Sequence, residues 1–542
     1  MDWNYADIYE AVAGTIPDAV CQAQGDRTVS WREFDRRADS VAANLLDAGL
    51  RHQSKVAVYM RNCPEFIEAY TGCLKAGLVP LNVNFRYGPD ELVHVFDNGD
   101  VEAVIFHARY AKMLERCRGR VPRLRHFLAV EDGWPVPGWS DSYASAARAG
   151  ARSTPAWQRT GDDVLLLYTG GTTGLPKGVV WRQNDVITAL GGAANFYQEQ
   201  PPVESLEELV DRVDRTGKRL FVACPMAHAT GLFTSLSLMN EGWAIETSPL
   251  EHFDPAALWC TVTDHKVTAI VIVGDAFARP MLAELATHPD EYDVSSLEII
   301  ISAGSVWSKK VRAGLIERMP WVTLCDNYGS SEALRGVQTY SRLGNVPDSG
   351  VIAASERVQM VDDELQLLDI GQPGTRGALV VSGHLAVGYY KDPERSAKTW
   401  LEIAGARRCV TGDHGLVEQD ATIRLLGRGN AVVNTGGEKV YPQEVEEVLR
   451  LHETVSDAAV IGLPDDRFGQ VVTALVTPRP GKDVDPDLLT AHTKSHLAGY
   501  KAPRHVILVQ AIPHTAAGKI DYTACHALAR RERAAVPAGD PQ

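Results

Sequence analysis

Tyr168-Thr-Gly-Gly-Thr-Thr-Gly-Leu-Pro-Lys-Gly178 packs four glycines, three threonines and one lysine into eleven residues, directly after the apolar run Val164-Leu-Leu-Leu167. The order reads as a buried strand that runs into a loop rich in hydroxyls and backbone amides. Glycine lets main-chain N–H groups come close to an anion. Successive amides in turns make anion-binding concavities. Thr169, Thr172 and Thr173 add donors, Gly170 and Gly171 add open backbone, and Lys177 adds charge. The segment describes a grip for phosphate. It differs from the Gly-x-x-x-x-Gly-Lys-Ser/Thr loop, because Gly178 follows the lysine and no hydroxyl is placed there for a metal. A Gly/Thr-rich surface turn would share the composition, so the neighbouring motifs carry the decision.

Around this segment helix and strand signals alternate. Trp31 to Leu46 has apolar residues at helical spacing and stops at Gly49, Lys55–Met60 reads as a strand, Cys63–Ala76 as a helix, and Val101–Phe106 as a strand. Such alternation predicts a mostly parallel sheet covered by helices. Residues 134–163, rich in Pro, Gly, Ser and Ala, read as a surface connection. A second alternating block spans about 164–335, with Val203–Arg219 as a charged, exposed helical excursion. Between about 350 and 427, short strands near Arg357–Val361, Ala378–Ser382 and Thr422–Leu426 predict a small β-rich subdomain. An α+β domain follows from Arg428, with a helix over Pro442–Arg450, a strand over Val472–Val476 and a disordered tail from Ala534.

The chain has 542 residues, 45% hydrophobic and 23% charged, which is too long for one core and ordinary for a globular protein. Its net charge of −15 argues against nucleic acid and against anionic membranes. No apolar run approaches the ~20 residues of a membrane span. The first residues lack a basic, then apolar, secretory pattern. Nine scattered cysteines form no Cys-x-x-Cys pair, which points to reduced thiols in the cytoplasm rather than zinc or a disulfide framework.

Five further stretches complete the pattern. Ile301-Ser-Ala-Gly-Ser-Val306 is another strand that ends in small residues, Gly304, Ser305 and Val306. Asn327-Tyr-Gly-Ser-Ser-Glu332 offers an aromatic plane, hydroxyls and one carboxylate, a set that can stack a base and hold a hard cation. Asp413 in Val410-Thr-Gly-Asp suits ribose hydroxyls, Gly427-Arg-Gly-Asn430 has hinge character, and Pro513–Lys519 is a turn with one cation. Each alone has an ordinary reading as a turn or a solvated charge. Their order along the chain is what is specific.

As an ordered set, Lys75-Ala-Gly77, the 168–178 segment, Pro225-Met-Ala-His228, Tyr328–Glu332, Gly388-Tyr-Tyr390, Thr411-Gly-Asp413, Gly427-Arg428, Gly436-Gly437 and Gly518-Lys519 resemble the adenylate-forming superfamily of acyl-CoA synthetases, luciferases and peptide-synthetase adenylation domains. The likeness runs from about Trp31 to Ile520. It implies an α/β fold with two helix-covered sheets and a β-rich subdomain in residues 1–427, and a mobile α+β domain in 428–542 that turns about a hinge near 430. It also implies a two-step ligase that uses ATP, Mg2+ and coenzyme A. A carboxylate attacks the α-phosphate to give acyl-AMP and pyrophosphate, and a thiol then displaces AMP.

By the same resemblance, Thr169, Thr172, Thr173 and Lys177 grip the β- and γ-phosphates. Tyr328, between Asn327 and Gly329, stacks adenine beside Gly304–Val306. Ser331 meets the α-phosphate, Glu332 binds Mg2+, and Asp413 and Arg428 hold the ribose. Lys519 bridges the acyl carboxylate and the α-phosphate, offsetting charge that builds as the bond forms. Gly437 lines a pantetheine tunnel, Lys439 approaches a CoA phosphate, and His228 gates the acyl tunnel or is a satisfied buried histidine. Departures from the family pattern are Asn430 where the hinge is usually Asp or Lys, Ser331 for Thr, and His514 for Arg. None removes a charge that the chemistry needs.

His228-Ala-Thr-Gly-Leu-Phe233 has no Asp to meet an amino acid's ammonium group. With no carrier domain after residue 542, a freestanding enzyme with CoA as thiol is expected. Leu81–Tyr87, Val273–Pro280 and Asn434–Pro442 are similar to actinobacterial ligases for sterol side-chain and other bulky or long-chain acids. Small and apolar residues near 226–236, 274–276 and 303–307 are the candidate acyl pocket. A medium- or long-chain fatty acid, a carrier-loading ligase and a catalytically silent nucleotide binder stay as alternatives. A homodimer is compatible with the sequence.

Overall fold

The structure is a computed structural model. It describes the chain except for residues 1, 152–153, 172–173, 194–200, 306, 429–432, 436–437, 466–467, 498, 516–518 and 536–542. It divides into two compact units. One comprises Met1–Ser349, Ser382–Glu402 and Ala406–Cys409, and the other Gly350–Val381, Ile403–Gly405 and Val410–Gln542.

The first unit holds two eight-stranded sheets. One runs in the order Gly388–Tyr389, Gly174–Arg182, Val164–Gly171, Val79–Asn82, Lys55–Tyr59, Val101–His107, His126–Val130, Asp141–Ser142. It is parallel from Val164–Gly171 onward, with antiparallel strands at the other edge. The second sheet runs Val337–Ser341, Thr323–Tyr328, Ile299–Ala303, Ala269–Ile272, Arg219–Val222, Ala244–Thr247, Val20–Gln24, Arg27–Ser30, parallel except at its two edges. Fully buried strands need apolar residues on both faces. Ala269–Ile272 meets that demand with four buried residues. One core packs Ala57, Leu81, Val104 and Leu166, and another packs Trp259, Ile270, Ile300, Trp307 and Leu324.

Local signals fix the flanking helices. Trp31–Asp47 starts at Ser30, whose hydroxyl accepts from Glu33 N at 3.3 Å, and ends before Gly49 at φ +82°. Pro64–Lys75 begins on its proline and is buried throughout.

Two readings of the sequence change here. The stretch 134–163 contains a short strand, Asp141–Ser142, and a helix, Tyr143–Arg148, capped by Ser142. Tyr143 anchors that helix, since its hydroxyl donates to Glu68, which also takes two bonds from Arg37 at 2.9 and 2.8 Å. The helix expected over Val203–Arg219 is confined to Leu206–Arg212, with Leu209 buried beneath it. Gly217 turns the chain at φ +86°, and Arg219 already begins a strand.

The second unit carries a sheet ordered Val351–Ala353, Thr422–Arg428, Ala406–Val417, Arg376–Val381, Val358–Val361; the middle strand enters the unit at Val410. It also carries a five-stranded sheet of Glu438–Val440, Val433–Thr435, Gly469–Pro478 and Val455–Asp465, with His505–Leu508 pairing parallel to Gly469–Pro478. Helices Pro442–Leu451, Pro486–His496 and Tyr522–Ala535 belong to it. Eight of the nine cysteines are buried, and Cys260, on the helix Pro255–His265, is exposed. No helix among the described residues is long and apolar enough to cross a membrane.

Candidate active site

The glycine- and threonine-rich segment is a β-hairpin rather than a free loop. Val164–Gly171 pairs antiparallel with Gly174–Arg182, in the register Leu166↔Val180, Tyr168↔Gly178, Thr169↔Lys177 and Gly171↔Gly174. Ladder bonds therefore run almost to the tip, where Thr172 and Thr173 lie outside the described residues. Gly178 has a packing reason of its own. A Cβ there would come within 2.9 Å of the Tyr168 ring, whose hydroxyl donates to Asn98 Oδ1 at 2.6 Å. Thr169 and Lys177 face each other across the hairpin, which leaves one hydroxyl and one ammonium adjacent.

The second sheet supplies the other side. Four neighbouring parallel strands, Thr323–Tyr328, Ile299–Ala303, Ala269–Ile272 and Arg219–Val222, deliver the segments after them to one carboxyl edge. Ligands of open α/β sheets bind outside such an edge. These segments are 328–332, 304–305, 273–276 and 223–231, so candidate nucleotide and acyl residues share one rim. Ala303 pairs with Asn327, which brings Gly304, at φ +85°, and Ser305 beside Asn327 and Tyr328. Asn327 Nδ2 donates to Ser302 O at 3.3 Å. Gly329 lies against Arg335, where a Cβ would come within 2.9 Å of the backbone nitrogen.

Trp181 Nε1 from the hairpin donates to Ser331 O at 2.8 Å. Lys177 Nζ lies 2.9 Å from Glu332 Oε1. Tyr389 completes the cluster. Its hydroxyl donates to Glu332 Oε1 at 2.8 Å and accepts from Lys177 Nζ at 2.7 Å, with the ammonium 4.1 Å from its ring centre. Burial, then the Glu332 carboxylate, hold this phenol far above its ordinary pKa, so it keeps its proton and donates. Sequence reasoning gave Lys177 and Glu332 separate tasks and gave Tyr389 none. The Gly388-Tyr-Tyr390 motif was the available signal.

Two asparagines were also missed, Asn82 buried and Asn62 half-buried. Asn82 takes a bond from Tyr168 N at 2.9 Å, returns one to Tyr168 O at 3.1 Å, and donates to Ala227 O. Asn62 accepts from Met226 N at 2.7 Å and donates to Cys224 O at 2.8 Å. Together they fasten the turn before His228 to the sheet that carries the hairpin. His228, half-buried, is the residue before the helix Ala229–Asn240, which is buried from Gly231 onward.

In the second unit, Asp413 pairs in register with Arg428 across antiparallel strands, and its N–H donates to Thr411 Oγ1 at 3.2 Å. Lys519 is exposed in a turn closed by the His514↔Ile520 bridge, with Thr515 N donating to Lys519 O at 2.7 Å. Val306, Asn430 and Gly437 lie outside the described residues, as do the side chains of Arg428 and Lys439.

Residues 9–390 match the family model "AMP-binding enzyme", and residues 444–519 match "AMP-binding enzyme C-terminal domain". The chain belongs to the AMP-binding enzyme family. It is an AMP-forming acid–thiol ligase. It is 35% identical to the medium/long-chain-fatty-acid–CoA/3-oxocholest-4-en-26-oate–CoA ligase of Mycolicibacterium smegmatis, over 96% of each chain. It is 34% identical to the 3-oxocholest-4-en-26-oate–CoA ligase of Rhodococcus rhodochrous, over 96% of this chain and 95% of that one. The fold matches the crystal structure of anthranilate CoA ligase AuaEII with anthranoyl-AMP at a TM-score of 0.83 and 23% identity, over 98% of each. The α/β architecture with a separate C-terminal domain is thus the family's.

The donor set fits a magnesium nucleotide. Mg2+ commonly takes one or two carboxylates and draws its other oxygens from phosphate and water. Glu332 would offer one such carboxylate, and the Lys177 ammonium lies 2.9 Å from it.

Proposed function

We propose that the chain is an acyl-CoA ligase for a bulky apolar carboxylic acid, a sterol side-chain acid above others. The observation that carries the nucleotide chemistry is the Lys177–Glu332 contact on the rim where the acyl segments also emerge, and the choice of acid rests on the relatives' names. A phosphate cation and a metal carboxylate at one point suit chemistry at a nucleotide's phosphates. The acid's carboxylate is already ionised at neutral pH, so no general base is required. The task is to hold two anions in line and offset their charge.

In the first step Thr169 and Lys177 hold the departing pyrophosphate, Tyr328 and the Gly304–Ser305 turn hold adenine, and Ser331 meets the α-phosphate. Lys519 joins the acid to the α-phosphate, while Asp413 and Arg428 take the ribose. Mg2+ on Glu332 would offset phosphate charge. In the second step residues 428–542 turn about Asn430, Gly437 and Lys439 face the thiol, and CoA sulfur displaces AMP at the acyl carbon. His228 stands at the mouth of the acid's path.

The relatives' names support sterol side-chain acids and, equally for one of them, medium- and long-chain fatty acids. Fatty acid is therefore the second reading. Pyrophosphate release with a panel of sterol side-chain, fatty and aromatic acids, with and without CoA, tests both. The highest kcat/KM is expected with the sterol acid and CoA present. A preference for a linear acid would reverse the order. Pyrophosphate without a CoA thioester would favour loading of a carrier protein, and no pyrophosphate with any acid would favour a silent binder. A further expectation concerns the tunnel. Gly437→Leu should slow thioester formation from supplied acyl-AMP at least about tenfold if, as the family pattern implies, glycine is needed there for want of a side chain, and should spare adenylation.

A further inference from the structure

We infer that Tyr389 is a positioning residue that fixes the Glu332 carboxylate for a divalent metal–nucleotide complex. The inference rests on the reading of Glu332 as the metal carboxylate given above. Strand register puts the tyrosine where it is. Gly388–Tyr389 pairs antiparallel with the hairpin, Tyr389 opposite Val179, so Tyr389 and Lys177 lie on one face of the sheet as diagonal neighbours. The next residue turns to other partners, since Tyr390 donates to Asp100 Oδ2 at 3.0 Å. A slip of one residue would exchange the two phenols.

The residue is held through its ring and through its backbone. It packs edge-on to Trp400 at 4.9 Å between centres. Tyr389 N donates to Ser396 Oγ at 2.8 Å, and that hydroxyl donates to Asp392 O at 2.7 Å. A Cβ on Gly388 would come within 3.0 Å of the same oxygen, so glycine is what lets the strand close on Ser396. Tyr389 is 7% exposed. A phenol has one proton, and here it goes to the acceptor Glu332, while the Lys177 ammonium donates to the same oxygen.

Carboxylates that ligate metals are commonly oriented by such hydrogen bonds, and loss of the partner typically costs ~10–100-fold in metal affinity. A wall residue would need neither the hydroxyl nor its tether.

The test is calorimetry with a non-hydrolysable ATP analogue, in excess Mg2+ and in EDTA. Tyr389→Phe keeps the ring against Trp400 and removes the hydroxyl. Affinity in Mg2+ is expected to fall about tenfold, and affinity in EDTA to stay within about twofold. Ser396→Ala, which loosens the ring through its backbone, should shift the Mg2+ arm in the same direction by about threefold. Equal losses in both arms would mean damage to the fold, and no shift in either variant would mean a passive wall; both overturn the inference. Glu332→Gln separates it from its premise. If that change leaves the Mg2+ dependence intact, the metal role of Glu332 fails. If it removes the dependence while both other variants bind normally, Tyr389 alone loses its role.

Discussion

Lys519→Ala is expected to lower the rate of pyrophosphate release about 10²–10³-fold and to leave thioester formation from supplied acyl-AMP within a few-fold. The first half-reaction drives one anion, the acid, against another, the polyphosphate. In water two unit charges about 4 Å apart repel by ~1 kcal/mol, and several times more where water is excluded. A cation between them lowers that barrier as the bond forms. In the second half-reaction the thiol meets an acyl carbon and AMP leaves, so the same cation has less to offset. The substitution should not harm the fold. Lys519 is exposed, and its turn is closed by main-chain atoms and by Thr515, whose Oγ1 accepts from Lys519 N at 3.3 Å. Equal loss in both half-reactions would remove the role assigned to it.

Asn82→Leu should strike both binding functions at once. The side chain is 1% exposed and satisfies Tyr168 N, Tyr168 O and Ala227 O. Leucine fills similar space and pairs with none of them. Each stranded buried group costs about 1–3 kcal/mol. One end of the tether precedes Thr169 and the other precedes His228. KM for ATP and KM for the acid should therefore rise together, and the thermal midpoint should fall. Asn82→Asp can still accept from Tyr168 N but cannot donate to either carbonyl, so it should be no milder. A rise in only one KM would show that the two segments are positioned independently.

These tests address what the sequence left hidden. Runs such as Lys55–Met60 and Val101–Phe106 announce strands because each is apolar over a short local stretch, and the ordered motifs announce the family. Partnerships across the fold have no local signature. Lys177 and Tyr389 are 212 residues apart and meet because two short strands share a register. Asn82 looks like any polar strand end until the turn at Ala227 arrives beside it. Gly178 reads in sequence only as the residue after Lys177, yet the Tyr168 ring claims its missing side chain. The Val203–Arg219 helix was overdrawn because charge and spacing said nothing of the strand starting at Arg219. Lys519 and Asp413 were legible as types of residue in types of turn, and their tasks came from the family pattern.

The thiol inventory has a practical side. With eight sulfurs enclosed and Cys260 alone in solvent, the native protein offers a maleimide dye one principal address, on the first unit. A second cysteine placed at an exposed position such as Leu488 of the other unit would complete a donor–acceptor pair without first stripping the natural thiols. Energy transfer between the two dyes would then test the rotation proposed for residues 428–542, with a constant signal through turnover as the result against it.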